Sequence, residues 1–436
     1  MSSTLIAFLL VYAALAVACV AYHPVFGIIG YYVSYIVSPA TRWWGESLAY
    51  RGFRYNFIIA CVAILGLLIY AFRKKLSVNF SWQEAWLWLF VGTVWFAGWY
   101  MPPVLGGENQ AIKLTKAALM LFVLKRSATD LTKFRWIIWA LALASIYGAV
   151  DTRLVAQRIG SRIQAGAGGS DFLEGNFLAA HLAMMLPFVG ILFLRSRWIL
   201  KLFLAASAAV MIDVIIQCRS RGAFLAIIGG AVVALLFSPR NTRKSVYVLL
   251  IVGAIGAFSL IDSSFWNRMT EIRPGSSIEE RDASSAGRIL AWKAAISMAA
   301  DHPLGIGYNN FHVLISDYDI TIPGKDTHST YLRCLAELGV QGLLILTLLV
   351  CNALLQVYAL HRRLNRQAKF SEYAMWNFAA GVGLIVYLIA GTFISSTYIE
   401  EFYVALLIPD VISSLVNRSA EANAQEPMLQ SSGIQS

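Results

Sequence analysis

Long apolar stretches recur along almost the whole chain and are separated by polar turns. They occupy residues 5–20, 26–37, 56–72, 85–100, 111–124, 136–150, 177–194, 198–216, 223–237, 246–261, 338–360, 378–393 and 402–416. Most of these stretches are long enough to cross the hydrocarbon core of a bilayer, and a chain in lipid must satisfy its backbone groups within helices. The pattern predicts an all-α fold, a polytopic membrane bundle of about 12 transmembrane helices.

The count is open at the start of the chain, where His23 and Pro24 separate the first two apolar stretches. These stretches form either a helical hairpin or one crossing followed by a partly inserted helix. The first has no basic flank before it and no small-residue cleavage site after it. We therefore interpret it as a retained helix and not as a signal peptide.

Composition supports a membrane protein and excludes several other classes. The chain is 58% hydrophobic and 14% charged, with a mean hydropathy of +0.64, whereas soluble domains carry about 25% charged residues. The net charge of +11 indicates contact with anionic membrane lipids. It does not predict nucleic-acid binding, because the chain offers no soluble basic module. The five cysteines show no spacing typical of a disulfide framework.

Basic residues fall in every second loop, which predicts the orientation of the bundle. They lie in the loops that contain Arg73, Lys74 and Lys75; Lys125, Arg126, Lys133 and Arg135; Arg195 and Arg197; Arg240, Arg243 and Lys244; and Arg362, Arg363, Arg366 and Lys369. Short loops rich in Lys and Arg stay on the cytoplasmic side. The polar tail 417–436 then lies in the cytoplasm, and its composition predicts disorder.

The alternate loops are periplasmic in this topology, and one of them is large enough to contain helices. Residues 1–261 form transmembrane helices with short loops and one periplasmic loop near 151–176. Residues 262–337 form the large periplasmic loop, which opens with a turn-rich segment at 273–277 and then shows a helical pattern through Arg288 and Trp292. Residues 338–416 complete the transmembrane region.

Two arginines in a tight turn between apolar helices are the most informative charges. Arg219 and Arg221 lie on the face where the topology rule disfavours positive charge, and a helix begins beside them at Gly222. Guanidinium groups at a helix N-terminus are suited to bind a phosphate group. The alternative is that they contact lipid phosphates or pair with Asp213.

Three histidines in the large loop are candidate general bases, because imidazole titrates near neutral pH. His302 precedes a proline in a turn, which favours a structural role, and His312 can equally be a packed or capping side chain. His328 lies between hydroxyl residues directly before a membrane helix, where it could face a lipid-linked substrate, although taken alone a hydrogen-bonded structural histidine is the favoured interpretation. Arg288 in the same loop could either anchor its helix to lipid or bind substrate.

Other polar residues give weaker signals. Asp317 and Asp319 resemble the metal-binding carboxylate pair of nucleotide-sugar glycosyltransferases, but no nucleotide-binding domain surrounds them, and a solvated loop is the better interpretation. Lys113 and Lys116 lie three residues apart on one helix face and are secondary candidates for a diphosphate contact. We predict no metal site.

Together these residues resemble the O-antigen ligase and polymerase family of bacterial membrane glycosyltransferases. Four places carry the resemblance: EGNFLA at 174–179, SRG at 220–222, GRILAW at 287–292, and HPLGIG at 302–307 continuing to HSTYL at 328–332 and ELG at 337–339. Ser329 departs from the asparagine that many members have after the histidine, but it keeps a polar side chain.

The resemblance implies a fold similar to that of the membrane-embedded lipid-carrier glycosyltransferases. It also implies a donor glycan linked to undecaprenyl diphosphate and a reaction without cofactor or metal. By position, His328 would be the general base, and Arg221 and Arg288 would bind the diphosphate, with Arg219 beside them.

The expected function is an inverting O-antigen ligase of the bacterial inner membrane. It would move a glycan to a lipid A core acceptor at the periplasmic face. An O-antigen polymerase or a protein O-glycan transferase shares the same donor chemistry and remains open. A flippase or secondary transporter is less favoured, because the notable charges cluster at one face and not near mid-membrane.

Overall fold

The computed structural model of the protein describes residues 2–74, 79–159, 162–165, 169–263, 265–266, 283–365 and 371–432. The turn-rich segment 273–277 and the basic residues Lys75, Arg366 and Lys369 lie outside these residues. The described part of the chain forms sixteen α-helices and one small antiparallel sheet of two strands. The prediction of an all-α membrane bundle is confirmed.

Every predicted apolar segment coincides with a helix. In chain order the helices are α1 (Ser3–Ala21), α2 (Val25–Val37), α3 (Glu46–Tyr50), α4 (Tyr55–Lys74), α5 (Trp82–Tyr100), α6 (Gln110–Ser127), α7 (Leu131–Val155), α8 (Gly175–Arg195), α9 (Trp198–Cys218), α10 (Arg221–Phe237), α11 (Arg243–Leu260), α12 (Ala283–Asp301), α13 (Phe311–Tyr318), α14 (Thr330–Leu364), α15 (Ser371–Gly391) and α16 (Glu400–Ser432). The strands are β1 (Gln157–Ile159) and β2 (Arg162–Ala165).

Among the described residues, eight helices are long and apolar enough to cross a membrane: α1, α4, α7, α8, α9, α11, α14 and α15. Shorter apolar helices lie at Val25–Thr41 and Arg221–Phe237. The chain is therefore a multi-pass membrane protein.

Several helices begin where the sequence supplies a side-chain cap. The Ser81 hydroxyl accepts a hydrogen bond from the backbone N–H of Glu84, whose carboxylate accepts one from the Ser81 N–H in return. Asp130, Ser220 and Ser329 cap α7, α10 and α14 in the same way, each accepting from backbone N–H groups of the first turn. Such caps satisfy N–H groups that have no partner within the helix, so these starts are set locally.

The basic loops gather at one end of the bundle, which we call the basic face. Arg195 lies 2.8 Å and Arg135 3.6 Å from the carboxylate of Glu372 at the start of α15. Arg363 donates a hydrogen bond to Asn417 at 2.9 Å. The described residues of the segments 38–54, 101–109, 156–174, 261–266, 283–329 and 392–399 lie at the other end, which we call the distal face.

The first two apolar segments form a hairpin. The chain reverses at His23 and Pro24, and α2 packs back along α1 so closely that a Cβ on Gly27 would lie 2.6 Å from the Cys19 sulfur. The His23 imidazole is 3.4 Å from the Thr129 hydroxyl in the loop between α6 and α7. This places the turn at the basic face.

Charged residues of α5, α6 and α16 pair inside the bundle near the basic face. The Lys125 ammonium lies 2.7 Å from Glu84 and 2.7 Å from Asp410. Arg126 forms a second ion pair with Glu84, and all four side chains are buried. Pairing offsets the large cost of burying each charge, so these helices carry ionised groups in their interior.

Two helices at the distal face form a small packed unit beside the membrane bundle. Helices α12 and α13 have a small apolar core of their own, built around Ala291, Ala295, Met298, Phe311 and Ile315. This unit is held to the membrane bundle by the turn that follows α12.

Two glycines with positive φ allow that turn to cross α14 in close contact. A Cβ on Gly305 would lie 2.5 Å from the carbonyl oxygen of Glu337, and one on Gly339 would lie 2.4 Å from that of Pro303. Gly339 also breaks the regular φ/ψ of α14 with φ 73°. The HPLGIG and ELG segments therefore dock the distal helices on the bundle.

The C-terminal segment differs from the prediction. Helix α16 continues to Ser432, whereas the composition of 417–436 predicts a disordered tail. The tail contains Ala, Glu and Gln, which favour helix once a preceding turn is formed, so a helix that begins in the bundle continues without a new nucleus.

Candidate functional site

His328 lies at the distal face, two residues before α14. Its backbone has φ 46°, in the left-handed region that side chains other than glycine, asparagine and aspartate rarely adopt. The neighbouring side chains fix this turn, because the Thr327 hydroxyl accepts a hydrogen bond from the Ser329 N–H at 3.2 Å and Ser329 caps α14. A strained and locally secured backbone of this kind is often found at functional sites.

Helix α12 brings Arg288 to the same turn. The indole N–H of Trp292 donates to the Thr327 carbonyl oxygen at 2.9 Å, and Arg288 lies one helical turn earlier on the same face. Gly287 packs beneath Lys325, where an added Cβ would lie 1.8 Å from the lysine nitrogen. No pattern in the sequence predicted this close approach of Lys325.

The segment 392–399, which we call the strap, joins His328 to the start of α10. The Thr330 hydroxyl donates to the Ile394 carbonyl at 2.7 Å, and the Thr327 and Ser395 hydroxyls are 3.0 Å apart. At its other side, Phe393 packs on Gly222, where a Cβ would lie 2.7 Å from the Phe393 side chain. Arg221 is the residue directly before Gly222, so the strap contacts both the His328 turn and the start of the helix that carries Arg221.

The β-hairpin ties a further part of the distal face to this site. Arg162 donates to the Cys218 carbonyl oxygen at 3.1 Å and to the Asn176 side chain at 3.4 Å. Asn176 in turn donates to Glu174 at 2.7 Å. A hydrogen-bonded chain thus runs from the turn that carries Arg219 and Arg221 to the carboxylate of Glu174.

Four charged side chains influence the pKa of the His328 imidazole. Burial lowers the pKa of the His328 imidazole. The Arg288 and Lys325 charges lower it further, whereas the Asp326 and Glu174 carboxylates raise it. Glu174 and Arg288 are therefore both within electrostatic reach of the imidazole.

Asp326 remains ionised beside the histidine. Burial alone would raise the pKa of Asp326, but the Arg333 guanidinium and a hydrogen bond from Ser395 hold it below its ordinary value. Because a nearby anion stabilises an imidazolium, Asp326 and Glu174 both favour proton uptake by His328.

Arg219 and Asp213 have different partners from those considered in the sequence. Asp213 pairs with Arg153 at 2.6 Å, and not with the two arginines of the α9–α10 turn as the sequence alternative had it. Arg219 ends α9 with φ 48° and pairs with Asp262 at 2.9 Å.

The two lysine candidates lie in different surroundings. Lys113 pairs with Asp171 at 2.7 Å and lies 3.6 Å from Glu108, so its charge is neutralised within the protein. Lys116 is exposed on α6. The structure does not bring these lysines to the His328 turn through any contact of the described residues.

The remaining candidates lie apart from the strap. His302 directly follows α12 and its backbone N–H donates to the Met298 carbonyl oxygen, and His312 lies in the first turn of α13. Asp317 is exposed, and Asp319 accepts two hydrogen bonds from Thr321. Within the described ranges, no group of three or more His, Cys, Asp or Glu side chains could hold a metal ion.

The sequence therefore indicated Arg221, Arg288 and His328 but missed Arg162, Asn176, Glu174, Asp326 and Lys325 as their neighbours. Of these five, only Glu174 and Asn176 belong to a motif that carries the family resemblance, EGNFLA at 174–179. The assembled site combines guanidinium groups, suited to a phosphate, with an imidazole flanked by carboxylates, suited to proton transfer.

Comparison with known families gives a match, which covers part of the chain. Residues 206–347 match the sequence model of the family described as O-antigen ligase. The matched segment contains the α9–α10 turn, the described part of the large distal loop, and the His328 turn. No curated protein matches the chain. Over these residues the match supports the resemblance to the O-antigen ligase family that the sequence motifs indicated.

Proposed function

We propose that the protein is an inverting glycosyltransferase that moves a glycan from undecaprenyl diphosphate to a lipid A core acceptor. The observation that supports this most directly is that Arg288 lies within electrostatic reach of the His328 imidazole, on a helix that is hydrogen-bonded to the His328 turn through Trp292. The family match supports ligase chemistry in general. The donor, the acceptor and the residue roles are our proposal.

The site is proposed to face the periplasm of the inner membrane. It lies on the distal face, while the Lys- and Arg-rich loops gather on the basic face. Because such loops are retained in the cytoplasm, the distal face is the periplasmic one. Lipid-linked glycans would reach it from the outer leaflet.

His328 is proposed to be the general base. The acceptor hydroxyl oxygen attacks the anomeric carbon, and its proton passes to the imidazole. The new glycosidic C–O bond forms as the bond to the diphosphate breaks, and the diphosphate leaves with the electron pair. Attack opposite to the leaving group inverts the anomeric configuration. Burial keeps the imidazole neutral and ready to accept a proton, since it lowers the pKa of His328.

Arg221 and Arg288 are proposed to bind the diphosphate. Arg221 occupies the first position of α10, where the helix dipole also favours an anion. Guanidinium groups stay charged and match phosphate geometry, so they stabilise negative charge that grows on the leaving group without requiring a metal. Arg219 has a carboxylate partner in Asp262 and is assigned a supporting role.

Deletion of the gene in its own host tests the function. We expect glycan attachment to lipid A core to stop while full-length glycan accumulates on the carrier, and a plasmid copy to restore attachment. Accumulation of single repeats would instead identify a polymerase. Loss of glycan from proteins, with lipopolysaccharide intact, would identify a protein O-glycan transferase.

We expect Glu174→Gln to change the pH profile of the reaction. The carboxylate favours the protonated imidazole, so its removal lowers the pKa of His328 further, and the acid limb of the pH–rate curve moves to lower pH. The weaker base should also lower the plateau rate roughly tenfold. Rates of glycan transfer by purified protein in proteoliposomes, measured across the pH range, would show both effects.

Glu108→Gln provides the matched control, because Glu108 is a carboxylate on the same face that is 65% exposed. Its pH profile should coincide with that of the wild type. A Glu174→Gln variant with a lower plateau but an unshifted acid limb would contradict an electrostatic role for Glu174.

A further inference from the structure

The residues on both sides of His328 are in hydrogen-bond contact with the strap. On the N-terminal side, the Thr327 and Ser395 hydroxyl oxygens are 3.0 Å apart. On the C-terminal side, the Thr330 hydroxyl donates to the Ile394 carbonyl oxygen at 2.7 Å. The His328 turn is therefore held against the strap from both ends.

Thr330 forms two further hydrogen bonds to the strap. Its Oγ1 accepts from the backbone N–H of Ser396 at 2.9 Å, and its carbonyl oxygen accepts from the Thr397 hydroxyl at 2.9 Å. Thr330, Ser396 and Thr397 are all 0% exposed. Because water does not reach these groups, the loss of the Thr330 hydroxyl would leave a carbonyl oxygen and an N–H of the strap unpaired.

The strap is itself anchored in the bundle. The Tyr403 hydroxyl of α16 donates to the Thr397 carbonyl oxygen at 2.6 Å, and the Tyr398 hydroxyl of the strap donates to the Glu337 carboxylate of α14 at 2.7 Å. Both tyrosines are buried. The hydrogen bonds of Thr330 therefore connect the His328 turn to an element whose own position is set by two membrane helices.

The backbone of His328 needs such support. Its φ of 46° is rarely adopted by a histidine, and a strained residue keeps its conformation only where the surroundings over-determine it. Thr327 and Ser329 secure the turn locally. The partners of Thr330 lie 64–67 residues later in the chain, so its hydrogen bonds fix the turn relative to the rest of the bundle.

We propose that Thr330 is a positioning residue, which docks the His328 turn on the strap and so holds the imidazole where it takes the proton of the acceptor hydroxyl. The inference rests on the proposed function, in which His328 is the general base. A displacement of about 1 Å at a catalytic group can lower a rate by about 100-fold. The Thr330 hydroxyl is therefore expected to affect turnover although it takes no part in the bond changes.

Two substitutions at residue 330 test the proposal in the full-length protein reconstituted in proteoliposomes. Thr330→Val keeps the shape of the side chain but removes the hydroxyl, and it should lower kcat by about 10–100-fold. The KM for the lipid-linked donor should not change, because the base acts on the acceptor in the transition state and not on the bound donor. Thr330→Ser keeps the hydroxyl and should restore kcat to within about threefold of the wild type.

Thr93→Val is the matched control, because Thr93 is a buried threonine of α5 whose hydroxyl donates within its own helix, to the Leu89 carbonyl oxygen at 3.0 Å. It should keep the wild-type kcat. A Thr330→Val variant as fast as this control, or a Thr330→Ser variant as slow as Thr330→Val, would overturn the proposal.

Thr397→Val covers the case in which Thr330→Val does not fold. It removes only the hydrogen bond to the Thr330 carbonyl oxygen, so kcat should fall by less than in Thr330→Val but by about threefold or more, again with an unchanged KM for the lipid-linked donor. A Thr397→Val variant with the wild-type kcat would count against the docking role of Thr330.

Hydrogen–deuterium exchange separates a failure of this inference from a failure of the proposed function, because it needs no substrate. In Thr330→Val the Ser396 N–H loses its acceptor, so peptides that cover 327–332 and 392–399 should exchange faster than in the wild type or in Thr93→Val. Unchanged exchange in both peptides would overturn the inference. Faster exchange together with full transfer by His328→Asn would instead overturn the proposed function and leave the docking by Thr330 in place.

Discussion

Replacement of His328 by asparagine is expected to abolish measurable glycan transfer. Removal of a general base typically lowers the rate by about 10²–10⁴-fold, because the acceptor hydroxyl then keeps its proton during attack. Asparagine is preferable to alanine here, since it tolerates the left-handed backbone of residue 328 at φ 46°. The rate of transfer from lipid-linked donor, measured with reconstituted protein at matched amounts, checks the expectation.

His312→Asn is the matched control, because His312 lies on α13 of the same distal segment without contact to the strap. It should retain transfer within about twofold, as is usual for substitutions away from a site. Transfer by His328→Asn at a rate close to that of the control would show that His328 is not the general base, irrespective of the results for the arginine variants.

Substitution of the two arginines is expected to produce the next largest effect. Arg221→Gln and Arg288→Gln should each lower kcat/KM by about 10²–10³-fold, since each removes a charged donor from the leaving diphosphate. Arg221→Lys should fall between wild type and Arg221→Gln, because it keeps the charge but loses bidentate geometry. Steady-state kinetics with varied lipid-linked donor would measure these values.

The double variant distinguishes a shared site from two separate ones. If both arginines hold one diphosphate, Arg221→Gln and Arg288→Gln combined should cost less than the product of the single losses. Arg153→Gln is the control, because Arg153 is an arginine of the distal face paired with Asp213. Single variants that transfer as fast as this control would show that the diphosphate is bound elsewhere.

Arg221, Arg288 and His328 are candidates in the sequence because each stands out within its own segment. Arg221 has a charge in a turn where topology disfavours it, and His328 lies at the junction of a long loop and a membrane helix. Their recognition needed only local pattern and family motif. The role of the glycines at 305 and 339 was missed, because two segments that cross closely are far apart in the sequence.

Lys113 illustrates the opposite case. A lysine in an apolar stretch near one face is a reasonable candidate to bind an anion, but its ammonium is paired with Asp171. That partner comes from a segment 58 residues later in the chain. Spacing within one helix could not distinguish an ammonium that faces substrate from one that is neutralised by a distant carboxylate.

The sequence by itself determined the membrane-spanning helices, the face on which the basic loops gather, and the caps at which several helices begin. These features depend on the apolar length that a bilayer requires and on hydrogen bonds between residues three or four positions apart. The tertiary structure alone decided which side chains surround His328 and which carboxylates lie beside Lys113 and His181. His181 and Glu401 are 220 residues apart, and such contacts follow from the packing of whole helices, which no local pattern encodes.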